Sequence, residues 1–310
     1  MNVPVKLIIG SRGSKLALFQ ANWAKTELER NHPSLAVEIR IIKTSGDLFT
    51  QEPLNKIGGK GLFTKEIEEA LLRREIDLAV HSLKDLPTEL PPGLRLGAVS
   101  AREDARDAFL STQYASLAFL PPGARVGTSS LRRQSQLLFH YPGLEILNLR
   151  GNLDTRIRKL EEGHYDGILL ACAGLVRLKM ENKIRERIAV ETICPAIGQA
   201  ALAIEIRRED EAVQFRIDCL NAEKSFLATA AERSLLHSLG GGCHVPIAGH
   251  AVWEHGKIKL TGVVASPDGS NLYRETAEAI DEEAVCLGKT VADQLLRAGA
   301  GQIIASLTLE

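Results

Sequence analysis

Twice in this chain a short apolar run ends in a small polar loop, the loop opens a helix, and a proline closes that helix before the next apolar run. In the first instance residues 5–9 run into Gly10-Ser11-Arg12-Gly13-Ser14, and residues 15–30 carry helical spacing behind Ser14 as N-cap. Pro33 closes this helix, and residues 37–42 alternate as a strand. In the second, Arg125-Val126-Gly127 leads into Thr128-Ser129-Ser130, a helix spans residues 131–140, Pro142 closes it, and residues 144–149 form the next strand. Strand, loop, helix, strand is the unit of a parallel sheet. The echo continues: an amphipathic helix over 66–74 precedes Asp77-Leu78-Ala79-Val80, and a helix over 155–162 precedes Asp166-Gly167-Ile168-Leu169-Leu170. The chain therefore reads as α/β, with two related halves of roughly 100 residues each.

The last third changes character. Residues 221–239 have helical spacing and stop at Gly240-Gly241-Gly242. Turn signals at Glu254-His255-Gly256-Lys257 and Pro267-Asp268-Gly269-Ser270 then separate strand-like runs over 247–253, 258–265 and 272–280. A final helix over 281–299, with Asp281 as N-cap, completes a small α+β domain with a three-stranded antiparallel sheet.

Composition narrows the function classes. Lys and Arg total 38 against 39 Asp and Glu, a net charge of −1, so the basic excess of a nucleic-acid coat is missing. No run of about 18 uncharged apolar residues exists to span a membrane, and the first residues lack the long apolar core of a signal peptide. The five cysteines, Cys172, Cys194, Cys219, Cys243 and Cys286, form an odd set with no C-x-x-C pair and no metal-ligand spacing. Reduced thiols and a cytoplasmic location follow.

Both small polar loops lie at carboxyl ends of strands, where open α/β sheets bind ligands, and each opens a helix whose free N–H groups attract anions. Arg12 accompanies the first loop, and Arg132 with Arg133 the second. Arg150 follows the 144–149 strand, Arg156 stands near the start of the next helix, and Arg177 follows the 167–175 segment. A cation at a helix start is unfavourable unless an anion lies nearby, and arginine suits planar recognition of carboxylate or phosphate. One reading is a set of capped loops with solvated arginines; the other is a site between two lobes for a ligand bearing several anionic groups. Val80-His81-Ser82-Leu83-Lys84-Asp85 also ends a strand, as either a turn with a surface ion pair or a carboxylate that stabilises a developing cation. Lys56-Ile57-Gly58-Gly59-Lys60-Gly61 lacks the P-loop pattern and reads as a flexible lid with two lysines. Cys243, behind three glycines, is either a free loop thiol or a nucleophile.

Together these segments closely resemble the porphobilinogen deaminase, or hydroxymethylbilane synthase, family. The resemblance rests on the Gly10–Ser14 loop with Lys15-Leu16-Ala17-Leu18, Lys60-Gly61-Leu62-Phe63-Thr64-Lys65-Glu66, Val80-His81-Ser82-Leu83-Lys84-Asp85-Leu86-Pro87, Val126-Gly127-Thr128-Ser129-Ser130-Leu131-Arg132-Arg133-Gln134, Leu149-Arg150-Gly151-Asn152 with Thr155-Arg156, and Gly241-Gly242-Cys243. It implies two periplasmic-binding-protein-like α/β lobes, the first spanning 1–99 with a return segment over 197–218 and the second 100–196, plus a cofactor-carrying domain over 219–310. It also implies a monomeric transferase of tetrapyrrole (haem) biosynthesis, acting on a small molecule, with no nucleic-acid or membrane partner. In that chemistry a dipyrromethane is held on Cys243 through a thioether, and four porphobilinogen units are added in turn. Each unit loses ammonia to give an azafulvene-like electrophile, and hydrolysis releases hydroxymethylbilane. Asp85 is then the central carboxylate, while Arg12, Arg132, Arg133, Arg150, Arg156 and Arg177 match carboxylate-binding positions. Ser14, Gln20, Ser82, Lys84, Thr128, Ser129 and Ser130 match the polar lining, and residues 46–60 a mobile cover with Lys60 and Phe63 near its base. One departure stands out: the family's Gly-Gln-Gly is here Gly198-Gln199-Ala200. Alanine at the third position is harmless if only a small residue is needed and costly if φ is positive there.

Overall fold

The computed structural model describes residues 5–48, 63–240 and 245–308. The chain first lays down β1 (Val5–Ser11), α1 (Lys15–Asn31), β2 (Leu35–Ile41), α2 (Ser45–Leu48), α3 (Lys65–Leu72), β3 (Leu78–Ser82) and β4 (Leu94–Val99). There follow β5 (Asp107–Leu110), β6 (Arg125–Gly127), α4 (Leu131–His140), β7 (Glu145–Leu147), α5 (Leu153–Glu161), β8 (Gly167–Ala171), α6 (Cys172–Arg177) and β9 (Glu186–Arg187). Then come β10 (Leu202–Arg207), α7 (Glu211–Ile217), α8 (Glu223–Ser238), β11 (Ile247–Glu254), β12 (Lys257–Ala265), β13 (Leu272–Ala279), α9 (Ala284–Leu295) and α10 (Gly301–Thr308). Among the described residues no helix is long and apolar enough to cross a membrane.

Two compact units emerge, residues 1–103 with 200–226, and 104–199 with 227–310. The first holds a five-stranded sheet of order β2-β1-β3-β10-β4. β1 runs parallel to β2 and β3, and β10 runs antiparallel to both β3 and β4. The second unit holds a sheet of order β7-β6-β8-β5-β9, with β6 parallel to β7 and β8, and β5 antiparallel to β8 and β9. The two sheets correspond strand for strand. In each, the antiparallel member is the strand that the chain contributes on entering that unit from the other one. This is the duplicated α/β arrangement read from the sequence.

Local chemistry accounts for the helix starts. Ser14 is extended (φ −71°, ψ 150°) and its hydroxyl accepts from the Ala17 N–H, so α1 begins at Lys15. Ala21, Ala24 and Leu28 recur at helical spacing and bury against Leu7, Ile9, Leu35 and Val37 of the sheet. Asn152 caps α5 in the same way through the Thr155 N–H. The strand expected over 144–149 is shorter, because Ser129 captures its end: the Ser129 hydroxyl donates to the Leu149 carbonyl at 2.6 Å and accepts from the Leu149 N–H at 3.1 Å.

The second unit also holds the antiparallel sheet β11-β12-β13. Leu235, Leu260, Val264, Val291 and Leu295 form its core with α8 and α9. Glu232 of α8 is fully buried and accepts from the Gly198 N–H and the Ala251 N–H, both at 2.7 Å. The single helix expected over 281–299 is instead a 3-10 turn at Asp281–Glu283, then α9, a π turn over Leu296–Ala300, and α10. Gly299 takes φ +116°, and a Cβ there would meet the Tyr273 hydroxyl at 2.9 Å, so the axis bends at that residue and continues.

Ala200 has φ +76°, two residues beyond Gly198 at φ +69°. The left-handed conformation crowds a Cβ and costs an L-residue about 1–2 kcal/mol. The residues before it are fixed: the Gly198 N–H donates to Glu232, and the Gln199 side chain donates from Nε2 to the Ala105 carbonyl (2.7 Å) and to Asp107 (2.9 Å). Ala200→Gly is therefore expected to stabilise the protein by about 1 kcal/mol, strain relief exceeding the added entropy of the unfolded chain. Thermal and denaturant midpoints test this; a lower midpoint for Ala200→Gly would show that the buried methyl contributes more than its strain costs.

Candidate functional site

Within the first unit, the carboxyl ends of β1 and β3 lie side by side because these strands pair in parallel. A pocket there is lined by Arg12, Ser14, Gln20, Phe63, His81, Ser82 and Asp85, among others. The Arg12 guanidinium stacks over the Phe63 ring, 4.2 Å from its centroid. Gln20, buried on α1, donates from Nε2 to the Ser82 hydroxyl at 2.9 Å and ties the helix to the end of β3. A 3-10 turn at Leu83–Asp85 follows, with Leu83 anchored at 1% exposure and Asp85 turned to the surface. Lys84 is half-buried beside it. A cation and a carboxylate thus share one pocket, suited to a ligand carrying both an anion and N–H donors.

In the second unit the arginines divide into two kinds. Arg132 and Arg133, expected as ligand-facing cations, are each 6% exposed. Arg132 donates to Asp107 Oδ2 at 2.7 Å and to the Cys194 carbonyl at 2.6 Å. Arg133 donates to Asp107 Oδ1 at 2.7 Å and to the Leu169 carbonyl at 3.0 Å. The carboxylate that they bind in this structure is the protein's own. Burial alone would raise the Asp107 carboxyl, but the two guanidiniums hold it well below the usual carboxylate range.

Arg150, Arg156 and Arg177 are half-buried. The Arg150 Nε is buried with no hydrogen-bond partner, and Arg156 donates from Nε to the Gly151 carbonyl at 2.8 Å. Arg177 ends α6. Thr128 is buried and accepts from the Ser130 N–H at 3.2 Å, while Ser129 is occupied with residues 148 and 149. Ser130 caps α4 by position, without a side-chain bond. Lys60 and Cys243 lie outside the described residues, as does most of the expected cover over 46–60; its first turn, α2, is held by Glu66, which accepts from the Ser45 N–H at 2.9 Å.

Sequence reasoning missed the buried acids. Asp107 heads the apolar run Asp107-Ala108-Phe109-Leu110, and Glu205 interrupts Leu202-Ala203-Ile204-Glu205-Ile206; a charge inside a fully apolar strand was the available signal. Asp107→Asn is expected to destabilise the second unit by about 3–5 kcal/mol, since it strands two buried guanidiniums. The carboxyl is held low in the folded state, so its stabilisation is present at neutral pH and is lost as pH falls toward that depressed value. Denaturant midpoints at neutral pH test the substitution; a change below about 1 kcal/mol by the same measure would refute the clamp.

The family model described as "Porphobilinogen deaminase, dipyromethane cofactor binding domain" matches residues 7–215, and "Porphobilinogen deaminase, C-terminal domain" matches residues 219–297. The porphobilinogen deaminase of Pelobacter propionicus is 49% identical over 301 residues, covering 97% of each chain. That of Geobacter sulfurreducens is 49% identical over 302 residues, covering 97% of this chain and 95% of its own. Among solved structures, a periplasmic substrate-binding protein of an ABC transporter from Coxiella burnetii aligns at 13% identity and a TM-score of 0.46, covering 73% of this chain and 96% of its own. On two family matches that together cover most of its length and on near-full-length relatives at 49% identity, this chain belongs to the porphobilinogen deaminase family.

Proposed function

We propose that this chain performs the family reaction at the pocket of Arg12 and Asp85. That reaction condenses four porphobilinogen units head to tail, with loss of ammonia, and releases hydroxymethylbilane. The chemistry of the donor set fits the family's cofactor. A dipyrromethane presents pyrrole N–H donors and carboxylates; the pocket presents the surface carboxylate of Asp85 and the guanidinium of Arg12. Held on Cys243, the dipyrromethane supplies the free pyrrole carbon to which units are added.

The residues divide the work by their chemistry. Asp85 accepts pyrrole N–H groups and stabilises positive charge as it develops. Arg12 binds a carboxylate while Phe63 fixes its plane from below. Arg150, Arg156 and Arg177, all half-buried, bind acetate and propionate groups through their guanidiniums. Arg132 and Arg133 act through Asp107, setting the position of the Thr128–Ser130 loop that opens α4. Gln20 and Ser82 orient the end of β3, with Ser14, Lys84 and Lys60 completing the polar lining. The C-terminal sheet and its helices form a third domain that carries Cys243, and the enzyme works as a cytoplasmic monomer without a nucleic-acid partner. The observation that carries this reading is the shared pocket of Asp85 and Arg12 in a chain of this family.

Intact-protein mass spectrometry tests it. Protein from cells able to make porphobilinogen carries a two-pyrrole adduct, and Cys243→Ser does not. A folded, unmodified wild type would overturn the reading. Asp85→Asn keeps the fold and the thermal midpoint but lowers turnover by at least ~10²-fold. Arg150→Ala stalls elongation, seen as partly extended chains on the enzyme by mass; undiminished elongation would remove Arg150 from its role.

A further inference from the structure

Behind the pocket of Asp85 lies a set of buried acids that the roles above leave unused. His81 of β3 lines the pocket, and its Nε2 is hydrogen-bonded to Oε2 of Glu205 on β10 at 3.0 Å. His81 is 6% exposed and Glu205 0%. The other oxygen of Glu205 is buried with no hydrogen-bond partner. So is Oε1 of Glu68, on α3, a side chain that is itself 7% exposed. Burial pushes the Glu68 carboxyl up, and the charge of Glu205 adds to that push.

Among the described residues, the charges around this cluster are committed elsewhere. On β10, Arg207 is paired with Asp77 and Asp210. On α3, Glu66 is bonded to Ser45. On the pocket side, Arg12 stacks on Phe63, and Asp85 is at the surface. His81 can supply one positive charge, whereas Glu205 is bonded to it and Glu68 is buried close enough to feel the charge of both. A second buried carboxylate without a counter-charge is strongly disfavoured. Glu68, the carboxyl that burial pushes up, therefore keeps its proton behind a histidine that lines the pocket.

We propose that His81 is a proton carrier of the reaction, and that Glu205 and Glu68 are positioning residues that orient its ring and hold a proton in reserve behind it. The proposal rests on the functional reading above. Each addition breaks the C–N bond of the aminomethyl group, its electron pair leaving on nitrogen, and forms a carbon–carbon bond to a pyrrole carbon at the end of the chain. The hydrogen on that carbon leaves as a proton and the departing nitrogen takes one up, so none is gained or lost per cycle. His81 receives the first and returns it, four residues before the Asp85 carboxylate that steadies the charge. A carboxylate behind an imidazole fixes its tautomer and orientation, and Glu205 occupies that position behind His81.

Two measurements test this. Infrared spectroscopy of the resting wild type at neutral pH is expected to show a protonated-carboxyl stretch that shifts in deuterium oxide and is lost in Glu68→Gln. In steady state, Glu68→Gln is expected to lower kcat about tenfold at unchanged KM and to alter the pH profile of kcat, and His81→Gln to lower kcat about 10²-fold. A purely structural contact would leave that profile in place. Absence of the band in the wild type, or a Glu68→Gln profile superimposable on the wild type, overturns the proposal. The wild-type band needs neither a variant nor turnover, so a misfolded variant leaves the test standing. An absent adduct on Cys243 would instead sink the functional reading.

Discussion

A single carboxylate organises the second unit. Asp107, fully buried at the head of β5, receives Arg132 on one oxygen and both Arg133 and Gln199 on the other. Three segments far apart in sequence meet on this residue: the strand that enters the unit, the helix behind the Thr128–Ser130 loop, and the stretch from which the chain departs. A buried charge must be matched by opposite charge and hydrogen bonds, and here the match is also the geometry. Glu232 does comparable work from α8, bonding the Gly198 and Ala251 amides. Between them these two acids hold the Gly198 amide and the Gln199 side chain, and Ala200 next to them takes a conformation that alanine does not favour.

The duplicated sheets explain where the pocket forms. In each unit two parallel strands deliver their carboxyl ends to one edge, and a helix opens from the loop beyond. In the first unit this brings the Arg12 loop beside the Ser82–Asp85 turn. The antiparallel strand β10, arriving from the far end of the sequence, then lies against β3 and places Glu205 behind His81. The pocket is therefore assembled by local loops on one side and by a long-range crossing on the other. The crossing brings one buried acid, Glu205, because β10 is buried along its whole length and leaves no exposed side on which to put a charge.

Much of this was readable from periodicity and punctuation. Ser14 before an apolar-periodic run, the prolines after α1 and α4, and the paired glycine turns of the last third located most of the elements, since capping and turn chemistry act over a few residues. The exceptions have physical causes. The strand over 144–149 lost its end to the Ser129 hydroxyl, which competes for the same backbone groups. The last helix bends at Gly299 because that residue takes a φ of +116°, outside the helical range. The short strands β4, β5 and β9 carry too little alternation to mark themselves.

By itself the sequence determined the α/β class, the doubling, the C-terminal sheet, and the membership that points to Asp85, Cys243 and the arginine set. Tertiary structure alone decided which arginines meet a carboxylate of the protein itself. Arg132 and Arg133 look like their neighbours in sequence, but a fully buried carboxylate 25 and 26 residues away claims them both. It likewise decided that Ala200 has positive φ and that Glu68, Glu205 and His81 form one cluster. Burial and counter-charge depend on residues brought together by folding, and no local pattern reports them.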